Sequence, residues 1–100
     1  MYVQCSIPLR MAISWDDRKN EANFKKHGVW FEEAATVIIN PLTLSAPNDY
    51  PAGNRMEYLG FSLNFKLIYV VTVEHNEDNI RIISARKATN RERAKYEEGI

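Results

Sequence analysis

The sequence contains a single cysteine, four separated glycines and no long apolar run. One cysteine, Cys5, excludes an internal disulfide bond and a cysteine-based zinc site. The chain has no glycine-rich phosphate-binding loop, and no segment approaches the roughly 18 apolar residues of a transmembrane helix. The first ten residues lack the basic-then-apolar order of a signal peptide. We therefore expect a cytoplasmic protein that does not enter a membrane.

Positive and negative charges balance, with 13 Lys and Arg residues against 13 Asp and Glu residues. The composition therefore does not indicate nucleic-acid binding, and any anion-binding function must rest on a local cluster of cations. The two histidines and scattered carboxylates form no HExxH motif. This pattern predicts neither a metal site nor a cofactor.

A chain of 100 residues can form one domain with one modest core. Residues 1–12 show no clear pattern, and we expect a loose extension before a single domain at residues 13–98. Residues 13–15 are apolar and predict a short edge strand.

Two helices are predicted next. The first runs over residues 17–27 and ends at Gly28, which suits a helix C-terminus. The second begins near Phe31 and ends at Pro41. Trp30 stands where a capping Ser or Asp is expected, so this helix lacks a side-chain cap, at a cost of about 1 kcal/mol unless the indole is buried and offsets it.

The second half of the chain predicts strands joined by short connections, at residues 43–46, 55–62, 67–73 and 80–85. Short connections indicate antiparallel pairing. A last helix extends to about residue 98, and Thr89 and Glu92 have the spacing of a capping box at its start. The predicted fold is α+β: a short strand, two helices, an antiparallel sheet of about four strands and a C-terminal helix.

Basic residues are concentrated in this second half, and the set is Arg55, Lys66, Arg81, Arg86, Lys87, Arg91 and Arg93. Each one alone is typical of solvated surface charge. Arg55, Lys66 and Arg81, however, lie on three successive predicted strands. If they share one face of the sheet, they form a positive patch that suits a phosphodiester. The strand pattern leaves open whether they do.

Glu74 and His75 follow the most apolar strand. Histidine titrates near neutral pH and can transfer a proton. Glu74 is either a base or the ion-pair partner of an arginine, and His75 is equally consistent with an exposed turn residue.

Residues 15–34, WDDRKNEANFKKHGVWFEEA, resemble the opening signature of the BrnT-type toxins. That pattern is Trp-Asp, Lys, Asn-x-x-Lys-His-Gly-Val and Phe-Glu-Glu-Ala. The segment IRIISARKATNRERAKYE is similar to the family's ending, and Arg55 fits its Arg-x-x-x-Ile-Gly step. The resemblance covers about residues 13–98.

The resemblance implies a RelE-like ribonuclease that blocks translation without a metal, by attack of a ribose 2′-OH on the adjacent phosphate. It also implies a ribbon-helix-helix antitoxin, and operator DNA bound only through the toxin–antitoxin complex. The implied catalytic residues are Arg55, Glu74, His75 and Arg81. The implied RNA phosphate-binding residues are Lys66, Arg86 and Lys87.

The sequence departs from the family pattern at a few positions. His75 and Lys66 stand where arginine is usual, and Gly53-Asn54 replaces a usual Glu before Arg55. An alternative hypothesis is therefore a catalytically weak interaction module that binds the antitoxin and supports operon repression. A plain RNA-binding domain is a third.

Overall fold

The computed structural model describes residues 3–4, 11–48, 54–76 and 78–99. Within these ranges the helices are α1 (Asp17–His27), α2 (Phe31–Ile39) and α3 (Asn90–Gly99). None of these helices is long and apolar enough to cross a lipid bilayer. The strands are β1 (Val3–Gln4), β2 (Ala12–Ser14), β3 (Leu44–Asn48), β4 (Arg55–Phe61), β5 (Leu67–Asn76) and β6 (Asn79–Lys87).

All the described strands belong to one sheet, in the order β1-β3-β4-β5-β6-β2. Strands β3 to β6 pair antiparallel, as their short connections predict. Strand β2 is instead parallel to β6, which is possible because the two are far apart in the chain and need no hairpin. The fold is mixed α+β, and its sheet is larger than the four or so strands predicted.

Strand β1 accounts for part of this difference. It lies inside the segment predicted to be a loose extension and pairs antiparallel with β3. Two residues are too few to show an alternating pattern, which is why the sequence did not indicate a strand here. The prediction for residues 1, 2 and 5–10 lies outside the described residues.

Each face of the sheet carries its own apolar cluster. The α2 face is the side on which α2 packs, and its main buried residues are Phe31, Ala34, Val37, Ile38, Tyr58, Ile68, Val70, Ile82 and Ala85. The α3 face is the opposite side, and its smaller cluster is Leu44, Leu59, Leu67 and Tyr96. Tyr96 is the buried side chain of α3. Because this helix buries little else against the sheet, much of the α3 face stays available for other roles.

The start of α2 is capped from α1. Gly28 has the left-handed φ of 72° that allows the chain to leave α1, and α2 then begins at Phe31. The Phe31 N–H donates to Oδ1 of Asn20 at 2.7 Å. Trp30 itself forms no side-chain cap, as predicted, but a side chain of another helix satisfies the first N–H of α2. Trp30 is 41% exposed and stacks on Phe24, with the ring centroids 4.0 Å apart.

A second asparagine of α1 attaches this helix to the sheet. Nδ2 of Asn23 donates to the Val29 carbonyl at 2.9 Å and to the Ala85 carbonyl at 2.8 Å. The Ala85 N–H donates back to Oδ1 of Asn23 at 3.2 Å. All three residues are buried, so a single side chain satisfies three backbone groups.

The capping box of α3 is confirmed. The Glu92 N–H donates to Oγ1 of Thr89 at 3.1 Å, and the Thr89 N–H donates to the Glu92 carboxylate at 2.9 Å. The same carboxylate accepts two hydrogen bonds from the Arg86 guanidinium, at 2.8 and 2.9 Å. Strand β6 and helix α3 are thus tied together across their connection.

Candidate active site

Two arginines flank the central strand on the α3 face. Arg55 of β4 pairs with Val73 of β5, and Val73 pairs with Arg81 of β6. Residues directly opposite in antiparallel strands project to the same side. The register therefore answers the question that the sequence left open, and Arg55 and Arg81 form one row with Val73 between them.

Both guanidinium groups hold a buried donor without a partner. The Nε atoms of Arg55 and Arg81 are buried and have no hydrogen-bond partner among the described residues. Leaving a buried donor unsatisfied costs about 1–3 kcal/mol, and a catalytic or binding role is one explanation of such a cost. An arginine fork matches the oxygens of a phosphate, so this row suits an anionic ligand.

Glu57 supplies a carboxylate beside this row. It lies two residues after Arg55 on β4, on the same face, and is opposite Val71 of β5. The Tyr69 hydroxyl donates to Oε2 of Glu57 at 2.8 Å, and Nδ2 of Asn48 donates to the same atom at 3.4 Å. Among the described residues, no hydrogen bond engages Oε1. One oxygen is therefore held in place and the other can accept a proton.

Tyr69 is fixed by its surroundings. Burial, followed by the hydrogen bond to Glu57 and the charge of that carboxylate, raises the pKa of Tyr69 to about 12. The phenol therefore keeps its proton at neutral pH and acts as a donor. The Arg86 guanidinium lies 4.3 Å from the centroid of the Tyr69 ring, a cation–π distance.

The Arg86 guanidinium contacts other side chains of the protein. Besides covering Tyr69, it forms an ion pair with Glu92 at 2.8 Å. Burial raises the pKa of Glu92, but the hydrogen bonds from Arg86 and Thr89 outweigh this effect and hold the pKa below its ordinary value of 4.5. The structure thus gives Arg86 a role in orienting Tyr69 and α3.

Three of the predicted site residues lie away from the Arg55–Arg81 row. Lys66 is exposed in the turn before β5, seven residues from Val73, which is roughly 23 Å along a strand. Lys87 is opposite Ile68, and Glu74 is opposite Ile80. Since Ile68 and Ile80 belong to the cluster beneath α2, Lys87 and Glu74 project from the other face, although Glu74 and Arg55 both line a cavity of about 320 Å³.

His75 is better placed. It is exposed near the end of β5, where the pairing with β6 is irregular. It lies two residues beyond Val73 and has no partner on β6, and an unpaired residue of this kind interrupts the alternation of side chains along a strand. The structure therefore brings Arg55 and Arg81 to one face and places His75 farther along β5, toward the end of the strand.

Sequence reasoning missed Glu57 and Tyr69 as site residues. The alternation along β4 already placed Glu57 on the face of Arg55, and that signal was sufficient to find it. Tyr69 gave no such signal, because its contact with Glu57 depends on the register between β4 and β5. Among the described residues, no three His, Cys, Asp or Glu side chains lie close enough together to hold a metal ion.

Comparison with known proteins shows the family to which the chain belongs. The chain has the fold of the ribonuclease toxin BrnT from Brucella abortus, known from a 1.1 Å crystal structure, with a TM-score of 0.65 and 23% sequence identity. That match covers 80% of this chain and 99% of the Brucella chain. Comparison with curated protein sequences gave no significant match. The sequence model described as "Ribonuclease toxin, BrnT, of type II toxin-antitoxin system" matches residues 15–92. The chain therefore belongs to the BrnT family of type II ribonuclease toxins.

Proposed function

We propose that this chain is an endoribonuclease toxin that cuts RNA on the α3 face and thereby inhibits translation. The observation that carries the proposal is the pair of half-buried arginines, Arg55 and Arg81, whose Nε donors have no partner among the described residues. A phosphodiester placed over Val73 lies between the two guanidinium groups, and their positive charge stabilises the oxygens on which negative charge develops.

The groups needed for proton transfer lie on opposite sides of this row. Glu57 is level with Val71, and the arginines are level with Val73. His75 is two residues farther along β5 in the other direction. In-line displacement at phosphorus needs a base on the side of the attacking oxygen and an acid on the side of the leaving oxygen. The order carboxylate, cations, imidazole along the strand matches this need.

In the proposed reaction, Glu57 removes the proton of the ribose 2′-OH. The 2′-oxygen forms a bond to phosphorus, and the bond from phosphorus to the 5′-oxygen breaks. His75 in its protonated form gives a proton to that 5′-oxygen. The products are a 2′,3′-cyclic phosphate and a free 5′-hydroxyl. Arg55 and Arg81 bind the non-bridging oxygens and stabilise the charge of the transition state.

Further parts of the proposal rest on family membership. We propose that the reaction needs no metal ion, because the two arginines supply the positive charge. We also propose that the chain is RelE-like, that its antitoxin is a ribbon-helix-helix protein, and that operator DNA is bound only through the toxin–antitoxin complex. The proposed location is the cytoplasm. The type II family itself implies an antitoxin and an RNA substrate.

The test uses purified protein and a single-stranded RNA in buffer with EDTA. We expect cleavage that leaves a 2′,3′-cyclic phosphate, and no cleavage where the 2′-OH is replaced by hydrogen. Arg55→Ala and Arg81→Ala should each lower kcat by about 100-fold, the scale of losing one transition-state donor. Lys66→Ala is the matched control and should stay within about twofold, because Lys66 lies roughly 23 Å away.

Two results would overturn the proposal. One is intact RNA after incubation with wild-type protein that still binds its antitoxin, which would favour the interaction module. The other is cleavage by Arg55→Ala and Arg81→Ala at the wild-type rate, which would move the active site elsewhere.

A further inference from the structure

We propose a second RNA phosphate-binding site in a groove between α1 and the outer edge of β6. This inference rests on the proposed ribonuclease function and extends it to the RNA that flanks the cut. The basic groove, as we call it, has a volume of about 420 Å³. Its lining includes Lys19, Asn23, Lys26 and His27 from α1 and Ile83 and Ser84 from β6.

Among the described residues that line the groove, every charged side chain is basic. Lys19 and Lys26 are seven residues apart, which is about two helical turns, so they line the same side of α1. The acidic residues of α1, Asp17 and Glu21, do not line the groove. In a chain with no net charge, such separation of cations from carboxylates creates a local field that attracts a polyanion.

The lysines are free to meet a ligand. Lys19 and Lys26 are both exposed, and within the described residues neither side chain forms a salt bridge. A lysine ammonium binds a phosphate as a mobile point charge with three donors. Such contacts position a nucleic-acid backbone without reading its sequence, which suits RNA on either side of a scissile bond.

The groove is continuous with the proposed active site through Ser84. Ser84 is opposite Val71, in the row that contains Glu57, and therefore lies on the α3 face. It is three residues from Arg81, or roughly 10 Å along the strand. Strand β2 pairs with β6 only as far as Arg81. A strand of RNA can therefore pass from Arg81 over Ser84 and into the groove.

The test compares two double variants of the same helix. Lys19→Ala with Lys26→Ala removes two cations from the groove. Arg18→Ala with Lys25→Ala removes two cations from exposed positions of α1 that do not line it. Both pairs change the net charge equally, and thermal unfolding monitored by circular dichroism verifies that each variant is folded.

Two measurements are made with an RNA of about twelve nucleotides. For cleavage, the groove variant should raise KM by about tenfold, the scale of two modest charge contacts, and should leave kcat unchanged. For binding of the same RNA with a deoxyribose at the cut site, the slope of log Kd against log salt should become shallower by about 1.4, since each contact with a single strand contributes about 0.7. The control variant should resemble wild type in both.

The proposal is overturned if the groove variant and the control variant behave alike, or if the loss is in kcat alone. It is also overturned if RNA kinetics are normal while antitoxin affinity falls, which would assign the groove to an acidic segment of the antitoxin. Failure of the ribonuclease proposal is distinguishable. In that case wild-type protein does not cleave, whereas binding of the deoxy-substituted RNA still reports on the groove.

Discussion

Replacement of Asn23 by alanine should destabilise this protein more than alanine substitution at any exposed residue of α1. The side chain makes three hydrogen bonds, two to Ala85 and one to Val29. It is only 8% exposed, and Ala85 and Val29 are 0% and 1% exposed. Asn23→Ala therefore leaves one backbone N–H and two carbonyls unsatisfied in a buried region.

The expected loss follows from the number of groups affected. Each intramolecular hydrogen bond contributes about 1 kcal/mol net, and an abandoned buried group costs about 1–3 kcal/mol. Three such groups give a loss of about 3 kcal/mol as a lower figure. A domain of this size loses about 4–8 °C in Tm per kcal/mol, so we expect Tm to fall by roughly 12–24 °C.

Urea denaturation followed by circular dichroism measures this loss directly. Lys25→Ala is the matched control on the same helix, and since Lys25 is exposed, its effect should stay within about 0.5 kcal/mol. Asn23→Asp gives a second comparison, because it retains an acceptor for the Ala85 N–H but faces two carbonyls with a carboxylate. A loss below about 1 kcal/mol for Asn23→Ala would show that solvent satisfies these groups and would refute the reasoning.

Two further predictions concern Gly60 of β4 and Glu92 in the first turn of α3. A Cβ at Gly60 would lie 2.8 Å from Cβ of Thr43, whose side chain is fully buried. Gly60→Ala should therefore lower the free energy of unfolding, measured by urea denaturation, by about 1–3 kcal/mol. An unchanged urea midpoint would contradict this prediction. The lowered pKa of Glu92 means that its charged form stabilises the fold above its ordinary pKa and that this contribution is lost as the pH falls through the lowered value. Glu92→Gln should therefore be less stable than wild type at neutral pH, and the difference should shrink as the pH falls below the lowered pKa of Glu92; a difference independent of pH would argue against the assignment.

Local signals in the sequence predicted most of the elements. Gly28 and the Thr89–Glu92 capping box identified helix ends because a cap is a short-range interaction between neighbours in the chain. The alternation along β4 placed Arg55 on one face for the same reason. These predictions did not require knowledge of the tertiary contacts between helices and strands.

The interactions that the sequence did not reveal join distant segments. Asn20 caps α2 from eleven residues away, and Asn23 reaches Ala85 across 62 residues. Neither asparagine has a local signature, because an asparagine in a helix is ordinarily a solvated residue. Their burial depends on the angle at which α1 and α2 meet, and that angle is a property of the packed molecule.

At the candidate site, too, the sequence did not reveal interactions between distant segments. The face on which Glu74 projects depends on the register between β5 and β6, which shifts between Val71 and Thr72 and again near Asn76. A shift of one residue moves a side chain to the other face. Alternation could thus place Arg55 and Glu57 on one face of β4, whereas the position of Arg81 on the same face and the contact of Tyr69 with Glu57 required the paired strands.

The bond between Asn23 and Ala85 also has a consequence for association between molecules. Strand β2 covers β6 only at Asn79, Ile80 and Arg81, so among the strands that the structure describes, the later part of β6 is an edge of the sheet. Unpaired backbone groups at an edge invite strand addition from another chain. Because Asn23 occupies both the N–H and the carbonyl of Ala85, a foreign strand finds neither group free there. The protein is thereby protected from edge-to-edge aggregation at this point, and an antitoxin that approaches Ala85 must bind through side chains rather than by extending the sheet.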